Sequence, residues 1–226
     1  MTATSAPAPA ADLGGLAVAV LGGTGPQGRG LARRFAVAGL RVVLGSRDAA
    51  RAAEVAEALG HGITGAANAE AAAVGDLVVV AVPWEGHAAL LTDLAEALAG
   101  KVVVDCVNPL GFDKQGAYAL PVAEGSAAEQ AAALLPGSRV TGAFHHVSAV
   151  LLEDPDVARI EMDVLVLGDD REATDLVRAL VDVVPGMRGV YAGRLRNAGQ
   201  VEALTANLIS VNRRYQAHAG LRVTGL

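Results

Sequence analysis

The chain has 226 residues, 52% hydrophobic and 19% charged, which is ample material for a core and excludes global disorder. A formal net charge of −6 argues against general binding to nucleic-acid backbones, and a single cysteine, Cys106, excludes an intrachain disulfide and fits a reducing cytoplasm. Uncharged stretches such as 13–27 are broken by Gly and Pro well short of the roughly 20 apolar residues that span a bilayer, and residues 1–12 lack the basic and apolar regions of a signal peptide.

Taken in chain order, residues 1–15 read as a flexible tail. Leu16–Leu21 is an apolar run that passes directly into the glycine loop G-G-T-G-P-Q-G. A helix follows over Arg29–Ala38, with Leu31, Ala32 and Phe35 on one face and a stop at Gly39. Arg41–Leu44 is a second strand and Asp48–Leu59 a helix that stops at Gly60, a favoured C-terminal position. Asp76–Val82 and Val102–Val107 are further strands, separated by a helix over His87–Leu98. All four strands are near-continuous apolar runs, as expected of parallel strands covered on both faces. Residues 108–125 carry Gly and Pro without a clear period and predict a long loop of the kind that often carries function. Arg139–His145 and Asp163–Leu167 predict two more strands, Arg171–Val183 a helix, and Val201–His218 a terminal helix with Leu204, Leu208 and Val211 in one stripe. The expected fold is α/β, a Rossmann-type doubly wound, mostly parallel sheet. It divides into a nucleotide-binding domain over 16–150 and a small C-terminal helical and strand appendage over 151–226 that closes a crevice and contributes to dimerisation.

The chemistry concentrates at strand ends. Gly23-x-Gly25-x-x-Gly28 has the spacing that lets a strand turn tightly and lets backbone approach a pyrophosphate seated on a helix N-terminus; Thr24 adds a hydroxyl, and Pro26 and Gln27 complete the loop. An NAD site usually carries an acid about 20 residues on, for the ribose 2′-hydroxyl. Ser46 and Arg47 stand there instead and suit the 2′-phosphate of NADP, with Arg51 one helical turn beyond Arg47. Ser46 is equally a candidate helix cap. Val82 and Pro83 close the third strand, and Asn108 closes the fourth beside Pro109. Each is either a crevice wall or ordinary strand-end chemistry. His145 and His146 close the 139–145 strand; on a strand they would face opposite sides, either one lining the crevice and one packing away or both purely structural. No metal-ligand spacing and no nucleophile elbow is present. From Gly186 onward six arginines stand against one acid, Glu202, which suggests an anionic partner, a solvated helix face or a subunit contact.

G-G-T-G-x-x-G-x-G-L-A at 22–32, G-S-R at 45–47, V-P-W at 82–84, N-P at 108–109, G-S-A-A-E at 125–129, A-F-H-H-V-S-A at 143–149 and the tail from L-R-N-A resemble the NADPH:coenzyme F420 oxidoreductases, across nearly everything from Leu16 to Leu226. The resemblance implies reversible hydride transfer between C4 of NADP(H) and C5 of the 5-deazaflavin of coenzyme F420, in a cytoplasmic homodimer. It further implies that Thr24, Gly25, Pro26, Gln27, Ser46, Arg47 and Arg51 hold the phosphate end of NADP. Val82, Asn108 and Ala149 then lie near its nicotinamide half, and His145 and Val147 face the deazaflavin. Gly199 departs from the expected pattern, where a basic side chain would follow N-A, so Arg194 or Arg196 is the expected contact to the deazaflavin tail. The proton the deazaflavin exchanges comes from water or from His145, the one candidate catalytic side chain. The alternatives are an NADP-dependent imine or keto reductase and a non-catalytic NADP(H) sensor.

Overall fold

Strands that are apolar on both faces require cover on both sides. The computed structural model, which describes residues 12–226, provides it with one eight-stranded sheet and flanking helices. Most of the tail expected over 1–15 lies outside the described residues. β1 (Ala17–Leu21), α1 (Pro26–Val37), β2 (Arg41–Ser46), α2 (Ala49–Leu59) and β3 (Thr64–Ala67) form one half-winding. α3 (Asn68–Val74), β4 (Leu77–Val80), α4 (Trp84–Leu98) and β5 (Val102–Asp105) form the other. A two-stranded hairpin follows, β6 (Leu110–Asp113) and β7 (Gly116–Ala119), then α5 (Ala127–Leu134), β8 (Arg139–Gly142), α6 (Ala149–Glu153) and β9 (Met162–Gly168). α7 (Arg171–Asp182), β10 (Met187–Gly193), a single 3-10 turn at Leu195–Asn197 and α8 (Ala198–Tyr215) complete the chain.

The order across the sheet is β10-β9-β8-β5-β4-β1-β2-β3, parallel throughout except for the antiparallel pair β8 and β9. From β1 the chain proceeds to β2 on one side and later to β4 on the other, so the winding reverses between β1 and β4. The carboxyl ends of strands at such a switch point form a ligand crevice. Alternate residues of each strand enter opposite cores. Val18 and Val20 pack with Leu31, Phe35 and Leu44, whereas Ala19 and Leu21 pack with Val78, Val80 and Leu91.

Several elements differ from the sequence expectation. β3 is hidden because it reads T-G-A-A. Small residues are required there, since a Cβ on Gly65 would sit 2.2 Å from the Ala52 carbonyl carbon of α2. β10 is masked in the same way by Gly189, whose Cβ would meet Arg178 Cα at 2.7 Å. The expected loop over 108–125 contains the β6–β7 hairpin, closed by Asp113 Oδ1 accepting from the amides of Gln115 and Gly116. The 139–145 strand ends at Gly142, because Phe144 adopts φ +63 and turns the chain. Residues 151–226 supply β9 and β10, which extend the same sheet, and α8, which packs back on α5.

Candidate active site

The glycine loop is built by contact. A Cβ on Gly23 would meet Leu44 Cδ2 at 2.3 Å, and one on Gly28 would meet Gly23 Cα at 2.7 Å and the Gly22 carbonyl oxygen at 2.8 Å. These two glycines let α1 lie directly on the loop. At Gly25 only the Gly22 carbonyl oxygen comes near, at 3.5 Å, so this position faces open space. Gly25 is also the N-cap of α1, with Pro26 at the first helical position and no capping side chain. The helix therefore presents unclaimed N–H groups and the positive end of its dipole, an anion site by geometry.

Ser46 ends β2, buried, with its hydroxyl accepting the Asp48 amide at 3.2 Å. The cap of α2 is Asp48, which accepts the Arg51 amide at 3.1 Å. Arg47 and Arg51 are exposed, and neither forms an ion pair among the described residues. Two free guanidinium groups thus stand beside the carboxyl end of β2, next to the uncapped end of α1.

On the other side of the switch point, the ends of β4, β5 and β8 enclose a crevice of about 380 Å³. Gln27, Val82, Pro83, Trp84, Asn108, His145, His146, Val147 and Ala149 line it, together with Thr205, Leu208 and Ile209 of α8. Its volume is in the range of small-molecule sites. A larger hollow of about 760 Å³, lined by Leu13, Arg41 and Asp182 among others, opens at the amino ends of the strands, away from the glycine loop.

The two histidines are the main correction to the sequence expectation. They lie in the turn after β8 and not on the strand, so both are buried and both line the crevice. Burial holds each at a pKa of about 4, well below the ordinary imidazole range, so both are neutral at neutral pH. His146 Nε2 accepts the Leu165 amide at 3.3 Å. Of the five buried side-chain polar atoms without a partner among the described residues, four lie here: Asn108 Oδ1, both ring nitrogens of His145 and His146 Nδ1. Such groups are costly unless something pairs with them. The turn itself is tightly held. The His145 carbonyl accepts from Asn108 Nδ2 at 2.8 Å and from Thr205 Oγ1 at 3.1 Å. Gln27 Nε2 donates to the Phe144 carbonyl at 3.2 Å, and Phe144 stacks edge-on against Phe35 of α1. A buried phenylalanine in the left-handed region is uncommon, and the contacts of Gln27 and Phe35 hold this one there.

Comparison with known proteins agrees with this geometry. A family model described as NADP oxidoreductase coenzyme F420-dependent matches residues 17–109. The F420-dependent NADP reductase of Methanothermobacter marburgensis is 39% identical over 92% of this chain and 98% of its own length. The chain belongs to the F420-dependent NADP reductase family. A crystal structure from Arthrobacter sp. FB24, provisionally described as a reductase of this family, superposes with a TM-score of 0.81 at 29% identity, covering 93% of this chain and all of that one. The imine reductase BcSIRED from Bacillus cereus superposes at 0.63 and 22% identity over 88% of this chain and 63% of its own, a likeness of fold.

For this member of the reductase family, the arginines at the C-terminal end are arranged differently from the sequence expectation. Arg188 and Arg222 are bound to the buried Asp163, and Arg194 lies 3.4 Å from Asp169. Acids outside the segment therefore offset much of its positive charge. Arg194 lines a separate groove with Asp169, Arg178 and Tyr191, and neither Arg194 nor Arg196 lines the His145 crevice. Gly199 has a packing reason: a Cβ there would sit 2.8 Å from the Gly125 carbonyl oxygen, so only glycine lets α8 start against that loop. Thr205, Leu208 and Ile209 were not anticipated. In the sequence Leu208 belongs to the apolar stripe with Leu204 and Val211 while Thr205 and Ile209 lie beside it, and only the return of α8 across the strand ends makes the three a crevice wall.

Proposed function

We propose that this protein exchanges a hydride between C4 of NADP(H) and the deazaflavin C5 of coenzyme F420. The observation that carries the reading is the pairing, across one switch point, of an uncapped glycine-loop helix with a crevice of unpartnered buried polar atoms. In this reading Gly23, Thr24, Gly25, Pro26, Gln27 and Gly28 cradle the pyrophosphate, and Ser46, Arg47 and Arg51 hold the 2′-phosphate of NADP. Val82, Pro83, Asn108 and Ala149 receive the nicotinamide half, with Asn108 Oδ1 free to accept a carboxamide N–H. His145 and Val147 face the deazaflavin. The two bound rings supply the hydride chemistry themselves, and the protein supplies alignment and exclusion of water.

His145 is neutral, with the Cys106 and Val107 backbone within reach of its ring, so toward a bound ring it has a hydrogen-bonding role more than that of a standing acid. We assign the deazaflavin ring to the crevice; Arg194 and Arg196, the proposed contacts to its tail, lie outside that lining. We also propose a cytoplasmic homodimer. Its support is the exposed far half of α8, where Val211 is 37% and Tyr215 73% accessible while Val201 at the near end is core. Among the described residues, no helix is long and apolar enough to cross a membrane.

The test is spectrophotometric. NADPH oxidation is expected with coenzyme F420 and not with FMN, a keto acid or a cyclic imine. Absence of any absorbance change with the deazaflavin between about pH 5 and 9 refutes the reading. Turnover of the imine would favour the reductase alternative, and tight NADPH binding with no acceptor would favour a sensor.

A further inference from the structure

Behind the crevice lies a buried ionic cluster that the binding roles above do not use. His87 of α4 and Asp105 at the end of β5 are both fully buried, with Nε2 of the ring 2.5 Å from Asp105 Oδ2. The other ring nitrogen faces Gln130 Oε1 at 3.0 Å. Gln130 is oriented by its own amide nitrogen, which donates to Glu124 at 3.2 Å, so its oxygen is the atom turned to His87. Both ring nitrogens therefore face acceptors, the arrangement that favours imidazolium. Burial alone would depress the His87 pKa, but the hydrogen bond and charge of Asp105, with Gln130 and Glu202, outweigh it and raise it. The charged groups around His87 are Asp105 from β5, Glu202 from α8 and, behind Gln130, Glu124; on its own helix the Trp84 ring adjoins it.

Each acid of the cluster reaches a different wall of the crevice. Asp105 Oδ1 accepts the Val107 amide at 2.9 Å, which fixes the short segment that presents Asn108. Glu202, 2% exposed, accepts the amides of Ala127 and Ala128 at 2.9 and 3.2 Å, which pins α8 to the start of α5. Three residues further along α8, Thr205 donates to the His145 carbonyl, the same oxygen that Asn108 reaches from the opposite side.

We propose that His87, Asp105 and Glu202 are positioning residues that hold the two walls of the crevice in register on the His145 carbonyl. His87 keeps Asp105 as an acceptor, Asp105 places Asn108, and Glu202 places Thr205 with the apolar face of α8. As a statement about turnover this rests on the function proposed above. As a statement about geometry it does not.

The experiment uses Asp105→Asn, His87→Gln and Glu202→Gln with two readouts. In steady-state kinetics with NADPH and coenzyme F420, Asp105→Asn and His87→Gln are expected to lower kcat by about 10- to 100-fold, the scale on which small misplacements act. Affinity for 2′-phospho-ADP-ribose, which lacks the nicotinamide and is set at the glycine loop, should stay within about 3-fold. Glu202→Gln is expected to act mainly on KM for coenzyme F420, because α8 is the wall it moves. The second readout needs no turnover. Trp84 is the single tryptophan and its ring lies 5.5 Å from that of His87, so protonated His87 quenches its emission. The midpoint of that quenching should lie above the ordinary histidine value in the wild type and below it in Asp105→Asn. An unchanged midpoint in Asp105→Asn, or loss of affinity for 2′-phospho-ADP-ribose in step with kcat in all three variants, overturns the network. If the wild type fails to turn over coenzyme F420 at all, the proposed function falls while the Trp84 titration still decides the network.

Discussion

Acid should destabilise this protein by an amount set by a few buried groups. His145 and His146 are held near pKa 4 against an ordinary 6.5. Below about pH 6.5 the unfolded chain therefore takes up two protons that the folded chain refuses, and stability falls as pH falls. Glu202 acts in the opposite sense. Burial raises it to about 7 from 4.5, outweighing the two amides it accepts. Between about pH 4.5 and 7 the folded chain keeps a proton that the unfolded chain has lost, which favours folding at the acid end. Near pH 5.5 two protons gained on unfolding and one released leave a net uptake of about one. The slope is then about 1.4 kcal/mol per pH unit, or between 2 and 3 kcal/mol lost from about pH 6.5 to 4.5. The assay is urea unfolding at steps across that range with extrapolation to water. His145→Asn removes one histidine, so its slope should fall to about zero. Glu202→Gln removes the opposing group, so its slope should nearly double, to about 2.5 kcal/mol per unit. A flat wild-type profile, or a His145→Asn slope equal to the wild type, refutes the reasoning that these groups are buried neutral.

Arg47→Ala with Arg51→Ala should lower the preference for NADP over NAD by about 10- to 100-fold each, the worth of hydrogen bonds to a charged group. The melting temperature should hold, since neither guanidinium has an ion-pair partner among the described residues, and nucleotide titration with thermal melts checks both points. Gly28→Ala forces a Cβ to within 2.7 Å of the Gly23 Cα. It should cost about 1–3 kcal/mol of stability as overpacking and abolish NADP+ binding, measured by calorimetry. Asp163 is held near a pKa of 2 by its hydrogen bonds to Arg188, by the Val223 amide and by Arg222. Asp163→Asn should cost about 2 kcal/mol, less than the 3–5 kcal/mol for breaking a wholly buried pair, because both arginines are partly exposed. It should also release residues 219–226 to proteolysis while leaving NADP+ affinity intact.

What the sequence determined by itself is the part of the protein whose signals are local. Val18 and Val20, then Gly23, Gly25 and Gly28, then Leu31 and Phe35 lie within one strand, one loop and one helix, and their spacing alone predicts a strand that turns tightly into a helix N-terminus open to an anion. Ser46 and Arg47 are legible for the same reason, because they stand at a fixed remove from that loop. The second half of the crevice had no such spacing. Asn108, His145 and Thr205 are 37 and 60 residues apart, yet meet on one carbonyl oxygen. His87 with Asp105, and Glu202 with Ala127, are joined only by the packing of α4, α5 and α8 on the sheet. The sequence predicts a strand through His145, and the structure has a turn there, because the left-handed conformation of Phe144 leaves no mark in residue type. Likewise the arginine excess near the C-terminus has no visible counter-charge in its own segment, because Asp163, which hydrogen-bonds both Arg188 and Arg222, lies on a strand more than twenty residues upstream. Short-range periodicity carries strand, loop and helix; burial, neutralisation and the meeting of distant strand ends exist only once the chain has closed on itself.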